Sequence, residues 1–175
     1  MKKITLLLVL VFLSNCATKK NIAVTNADGD LVGVVAKESF KQEPYATDWF
    51  NDFYGYYKTD KEVVKAMKPL LKDIKIKGFM GTWCGDSQRE IPNFYKLLDE
   101  TAFDYKNLTL VAVNQSKTAN GLEEGFNVLR VPTFIFYKNG KEIGRFVEHA
   151  VDDSTIEADI LKIISGEPYK HPYQN

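Results

Sequence analysis

The chain has 175 residues, room for one domain of ordinary size with length to spare at its N-terminus. Hydrophobic residues make up 45% and charged residues 26%, the balance of a globular protein rather than a disordered one. The 23 basic and 23 acidic side chains cancel, and no basic stripe interleaved with aromatics appears, so no nucleic-acid partner is expected.

Lys2 and Lys3 precede an apolar run from Ile4 to Leu13, followed by Ser14-Asn15-Cys16. A positive flank, a short apolar core and a small-residue cleavage region predict a secretory signal over residues 1–15. The run of 10 residues is too short to span a bilayer, which takes roughly 20. Leu13-Ser14-Asn15-Cys16 resembles the lipobox of bacterial lipoproteins, with Asn15 where Gly or Ala is usual. That resemblance implies that Cys16 is lipidated, becomes the mature N-terminus, and leads into a tether over residues 16–21. The alternative is an ordinary signal peptide cut elsewhere, with Cys16 incidental. Lipidation would convert Cys16 to a thioether, leaving Cys84 as the single free thiol of the chain's two cysteines. The location expected is exported and anchored to a bacterial membrane, facing the periplasm, where disulfide chemistry is permitted.

Residues 22–58 read as an extension. Ile22–Thr25 and Leu31–Ala36 flank Asn26-Ala27-Asp28-Gly29-Asp30, which predicts a hairpin. Residues 37–58 read as irregular, with Trp49, Phe50, Phe53, Tyr54, Tyr56 and Tyr57 covering a sheet edge or packing under a loop. A domain over residues 59–168 follows, with a tail at 169–175. Thr59 stands at capping-box spacing from Glu62, before Val63, Met67, Leu70 and Leu71 at helical intervals, with Pro69 kinking or shortening the helix. Ile74 to Thr82 reads as a strand. Cys84 to about Glu100 reads as a helix with Ile91, Phe94, Tyr95 and Leu98 on one stripe and Pro92 inside it. The continuous apolar run Leu108–Val113 predicts a buried strand, and strand–helix–strand implies a right-handed parallel unit. Thr133–Tyr137 and Glu142–Val147 flank Lys138-Asn139-Gly140-Lys141, a hairpin signal that makes this pair antiparallel. Ser154 and Glu157 read as a second capping box, with Ile156, Ile160, Ile163 and Ile164 behind it and Gly166 and Pro168 closing the helix. The fold class is α/β, a mixed sheet built as βαβ, then antiparallel ββ, then α, with helices on both faces.

Trp83-Cys84-Gly85-Asp86-Ser87 carries the chemistry. A thiol at a helix N-terminus faces the positive end of the helix dipole, which favours the nucleophilic thiolate. Trp83-Cys84-Gly85 resembles the active-site entry of thioredoxins, and Pro92 matches the proline inside that family's active-site helix. Val131-Pro132-Thr133 resembles the family's cis-proline segment, and Phe134 to Glu142 its strand and Asn-Gly turn. These elements, over roughly residues 60–165, resemble the thioredoxin-like superfamily. With the N-terminal signal they resemble exported, lipid-anchored thioredoxin-like proteins of Bacteroidetes-type bacteria. The resemblance implies Cys84 as nucleophile and Trp83, Gly85, Asp86, Val131, Pro132 and Thr133 as the substrate-binding surface. Its partners would be cysteine-containing proteins or low-molecular-weight thiols, with an external thiol as reductant.

Two departures from that family stand out. Ser87 replaces the second cysteine, and Gly78 replaces the buried acid six positions before the nucleophile. A hydroxyl does not attack sulfur at neutral pH, so Ser87 cannot release a mixed disulfide. Cys84 is left with isomerase chemistry, with a small thiol adduct resolved from outside, or with covalent holding or no reaction at all. Ser87 is still expected to assist by donating a hydrogen bond to the thiolate. Asp86 opposes the thiolate and favours the helix, Arg89 is placed to offset Asp86, and Arg130 lies near the site through the proline loop, both arginines reading first as solvated surface charges rather than catalytic groups. The competing class is a redox-inactive peptide-binding module on the same fold. No cofactor is implied. His149 and His171 lack partners at ligand spacing, so no metal site is expected.

Overall fold

A computed structural model describes residues 22–174. Cys16 and the signal and tether segments lie outside the described residues. Six strands form one mixed sheet in the order β1-β2-β4-β3-β5-β6. They are β1 Val24–Thr25, β2 Leu31–Val35, β3 Ile74–Met80, β4 Leu108–Ala112, β5 Thr133–Lys138 and β6 Lys141–Val147. Four α-helices accompany them, α1 Asn51–Tyr56, α2 Lys61–Leu70, α3 Gly85–Glu100 and α4 Ile156–Ser165.

The parallel unit is β3–α3–β4, with Gly78 opposite Leu110. On its other edge β3 pairs antiparallel with β5, which turns through Asn139-Gly140 into β6. The β1–β2 hairpin forms as expected, and β2 adds antiparallel to β4, so the hairpin extends the central sheet itself. Side chains alternate across the strands. Ile74, Ile76, Met80, Leu110, Ala112, Phe134, Phe136 and Phe146 face a core shared with α2, α3 and α4. Phe79, Val111, Val113 and Ile135 face the other way.

Four expectations need correction. Helices cover one face of the sheet only. The second face packs against Ala119, Leu122, Phe126, Val128 and Val131 of the segment between β4 and β5. That segment winds through positive φ at Lys117, Asn120, Gly121, Gly125 and Asn127, which is incompatible with a right-handed helix. Residues 37–58 are helical rather than irregular. A 3-10 turn at Lys37–Lys41 is followed by a π-helix at Ala46–Phe50 that runs into α1. Their aromatic residues cover α3 rather than a sheet edge, with Phe40 and Phe50 ring centroids each 6.2 Å from that of Tyr95.

Both helix caps lie one residue beyond the expected position. Asp60 caps α2 by accepting from Glu62 and Val63 N–H, while the Thr59 hydroxyl bonds Glu100. Thr155 caps α4 by accepting from Ala158 N–H, and Ser154 donates to Asp159 at 2.6 Å. Glu157 is no capping-box partner, because its carboxylate accepts from Asp60 N–H at 3.1 Å and from the Tyr57 hydroxyl. Pro69 falls at the penultimate position of α2, which passes into a 3-10 turn at Leu71. Pro92 lies within α3, which continues to Glu100.

Candidate functional site

At the end of β3 the chain makes a tight turn in which Cys84 N–H donates to the Gly81 carbonyl at 3.0 Å. The turn brings the Trp83 indole back over Gly81. A Cβ on Gly81 would lie 2.5 Å from the indole, so only glycine leaves that space. Trp83 Nε1 donates to the Val113 carbonyl at 3.0 Å, anchoring the ring to the end of β4. Cys84 is the N-cap residue of α3, in extended conformation, and its half-buried thiol is free. Sγ donates to the Val131 carbonyl at 3.2 Å. Val131-Pro132 is a cis peptide. The Pro132 carbonyl accepts from Glu148 N–H at 2.7 Å, and the Thr133 hydroxyl donates to the Arg130 carbonyl at 2.7 Å. Helix start and proline loop thus meet at the thiol.

Ser87 does not perform the task expected of it. It is fully buried, and its Oγ accepts from Gly81 N–H at 3.2 Å, with no hydrogen bond to Cys84. One turn into α3, the hydroxyl points under the β3–α3 turn rather than out toward the sulfur. It holds the turn that positions Cys84. Arg89 does counter Asp86, at 2.7 Å, and reaches Glu90 at 2.8 Å. Burial still raises the Glu90 carboxyl above its usual range, against the pull of Arg89 and Asn93.

The place of the family's acid is filled. A Cβ on Gly78 would stand 2.7 Å from Leu110 Cδ1 and 3.1 Å from Phe134 Cδ1. Phe134 in turn stacks on Phe94 of α3 with centroids 3.9 Å apart. The core has closed over the site from which a carboxyl would reach the second position of the motif.

A groove of about 440 Å³ opens at the thiol, walled by Trp83, Cys84, Val131, Leu129, Lys117, Arg130 and Glu148. Gly85, Asp86, Pro132 and Thr133, expected to bind substrate, do not line it. Three lining residues were not anticipated: Lys117, Leu129 and Glu148. Nothing local marks Lys117 or Leu129. Glu148 was countable, since it directly follows the β6 residue paired with Thr133 and so lies beside Pro132. Arg130, expected near the site, pairs with Glu148 at 3.2 Å, and its guanidinium lies 3.8 Å from the Tyr173 ring centroid. The Tyr173 hydroxyl bonds Glu148 and sits 3.3 Å from His149 Nε2. Burial, and then the charge of Arg145, lower the His171 imidazole. Among the described residues no group of three or more His, Cys, Asp or Glu is placed to hold a metal, and no helix is long and apolar enough to cross a membrane.

A thiol heading a helix and meeting a proline-containing loop across its entry is the arrangement of a thiol–disulfide redox domain. The family model for thioredoxin matches residues 58–162, and the chain belongs to the thioredoxin family. It is 30% identical over 92 residues to the thioredoxin-like protein R548 of Acanthamoeba polyphaga mimivirus, covering 52% of this chain and 63% of that protein. It is 32% identical over 106 residues to thioredoxin of Malassezia sympodialis, covering 61% of this chain and 91% of the relative. The structure of Fasciola hepatica thioredoxin aligns with a TM-score of 0.38 at 21% identity, over 59% of this chain and 89% of that one.

Proposed function

We propose that the chain is an exported, lipid-anchored thioredoxin-family protein in which Cys84 performs monothiol exchange. The observation that carries this reading is the Cys84 thiol itself. It is free, stands at the N-terminus of α3 and faces the Val131 carbonyl at 3.2 Å, while Ser87 is buried beneath it. The Cys84 sulfur, as thiolate, attacks a substrate disulfide. A bond forms between Sγ and one substrate sulfur, the substrate S–S bond breaks, and the other sulfur leaves as thiolate and takes a proton from water. With no second thiol at position 87, release waits for a thiol of the same substrate or for an external one. Val131 N–H has no hydrogen-bond acceptor among the described residues, which leaves it open to the backbone of an extended client.

The signal and lipobox pattern of residues 1–16 supports export and anchoring. The partners are cysteine-containing proteins or small thiols, with an external thiol as reductant. The test is intact-mass analysis of the wild-type protein after incubation with an oxidised, reducible client. A one-to-one adduct at Cys84 that persists until an external thiol is added is the expected result. Absence of any adduct under oxidising conditions would leave a peptide-binding module. For the anchor, Cys16→Ala should shift the protein from the membrane to the soluble fraction; unchanged fractionation refutes lipidation.

A further inference from the structure

We infer that the Cys84 groove selects peptide disulfides that carry a carboxylate beside the reacting cysteine, with Lys117 and Arg130 as the residues that make the selection. This deepens the exchange reading and rests on it.

Lys117 owes its position to a turn built after β4. Asn114 N–H donates to the Thr118 carbonyl at 3.0 Å, Lys117 N–H donates to the Asn114 carbonyl at 2.8 Å, and Lys117 takes a positive φ of 62°. The turn swings its side chain across the groove, where Nζ lies 5.9 Å from the Trp83 ring centroid. Among the described residues that ammonium has neither a carboxylate nor a hydrogen-bond partner. Arg130 flanks the groove as well. Its Nη1 is committed to Glu148, while Nε and Nη2 have no acceptor among the described residues. Glu148 is the groove's single carboxylate and neutralises one of the two cations. Asp86, the nearest acid on α3, is held by Arg89. Among the residues that line the groove, two cations therefore face one carboxylate, and Lys117 is the charge left without a counter-ion.

The shape favours a peptide over a small thiol. Leu129 is 72% exposed at the lip of the groove, an apolar surface for an extended chain. Leu129 and Arg130 also line a second cavity of about 440 Å³, with Asn127, Arg145 and Tyr173 on its walls. A small disulfide would occupy the first space alone, whereas a peptide bound along the proline loop continues into the second.

The test uses two peptides, each with one cysteine activated as its thiopyridyl mixed disulfide. One has Glu on both sides of the cysteine and the other Gln. Cys84 attacks the peptide sulfur, the peptide is captured as a mixed disulfide and pyridinethione leaves, so its release measures the rate. Wild type should react with the Glu peptide about tenfold faster at low salt, the lower end of electrostatic steering, and the ratio should shrink as salt rises. Lys117→Gln and Arg130→Gln should each lower the ratio, Lys117→Glu should invert it, and Lys117→Arg should restore it. A wild-type ratio within about twofold of unity, or a ratio that survives Lys117→Glu, overturns the inference. Faster capture of glutathione, supplied as its own thiopyridyl mixed disulfide so that the leaving group is the same, than of the Glu peptide reassigns the groove to a small thiol and overturns the peptide assignment. Failure of every disulfide to react removes the exchange reading itself, and the charge preference with it. Exchange without charge preference removes the inference alone.

Discussion

The two ends of α3 are built on opposite plans. At its C-terminal end, Asp99 accepts from the Lys37 ammonium, from the Tyr54 hydroxyl at 2.5 Å and from the Tyr105 hydroxyl at 2.6 Å. Its neighbour Glu100 accepts from Lys61 at 2.7 Å and from the Thr59 hydroxyl. At the N-terminal end, the Cys84 thiol has one hydrogen bond, to a carbonyl, and the nearest lysine has none. The helix is fastened to the N-terminal segment and to α2 at the end away from the chemistry. Its reactive end is held by backbone turns and by Trp83, Ser87 and Gln88 side chains that bond backbone groups, which leaves the Val131 amide and the Lys117 ammonium open to a partner. Stability and reactivity are thus assigned to different ends of one element.

The largest expected effect comes from removing the reactive group. Cys84→Ser should abolish covalent capture while leaving the thermal unfolding curve in place, as read by intact mass and circular dichroism. An adduct that survives would break the assignment. Gly78→Asp, which restores the family's acid, should fail by overcrowding. Two side chains already fill the space, so destabilisation of about 1–3 kcal/mol from packing alone is expected, with burial of the carboxyl adding to it. An unchanged urea midpoint would show that the core yields there. Ser87→Ala deprives the buried Gly81 N–H of its acceptor and should cost about 1–3 kcal/mol, while Cys84 still forms its adduct. Loss of the adduct with stability intact would return Ser87 to direct assistance of the sulfur.

At the fastened end, Asp99→Asn should cost about 1 kcal/mol, given how much of the cluster is open to water. It should also quicken proteolysis of residues 37–58 without slowing Cys84, and a slower thiol reaction would dissolve the distinction between the two ends. The same cluster predicts a pH response. Partial burial pushes the Asp99 carboxyl up, yet hydrogen bonds from Lys37, Tyr105 and Tyr54 outweigh it and hold the group below its usual range. Its contribution is therefore present above the unfolded value of about 3.9 and is lost as pH falls through the lower folded value. Tyr54 behaves in the opposite sense. Burial, and then its hydrogen bond to Asp99, push the phenol from 10.0 up to about 12. That contribution is complete below pH 10.0 and lost as pH rises toward about 12. In Asp99→Asn the urea midpoint should lose the Asp99 share of its acid response and only part of its alkaline one, since burial remains the larger cause at Tyr54. Lys61→Ala should have the smallest effect, about 0–1 kcal/mol, because its side chain is 72% exposed.

Periodicity revealed the strands and the long helices because those signals are local. The caps misled by one residue for a non-local reason. Thr59 and Asp60, like Ser154 and Thr155, are adjacent residues each able to cap, and the first of each pair is drawn away by an acid, Glu100 or Asp159. The aromatic segment did carry a helical stripe, since Trp49, Phe50, Phe53, Tyr54 and Tyr57 recur at intervals of three and four about their adjacent pairs. The thiol was legible from its motif, but the lining of its groove was not. Lys117 reaches it through a positive-φ turn, whereas Glu148 could be placed only by carrying the β5–β6 pairing through a register shift between Phe136 and Tyr137. The role of Ser87 depended on an amide six residues away in the preceding turn.

The indole over Gly81 has an optical consequence. The chain has two tryptophans, and they report on the two halves of this design. Trp83 borders the sulfur and the groove, so its emission should respond when the thiol is capped or a client settles beside it. Trp49 is buried against Phe40 and Phe50 and should respond only when the N-terminal aromatic layer peels from α3. With Trp49→Phe the protein becomes a single-colour sensor of its own chemistry, and with Trp83→Phe it becomes a gauge of how firmly the far end of the helix is fastened.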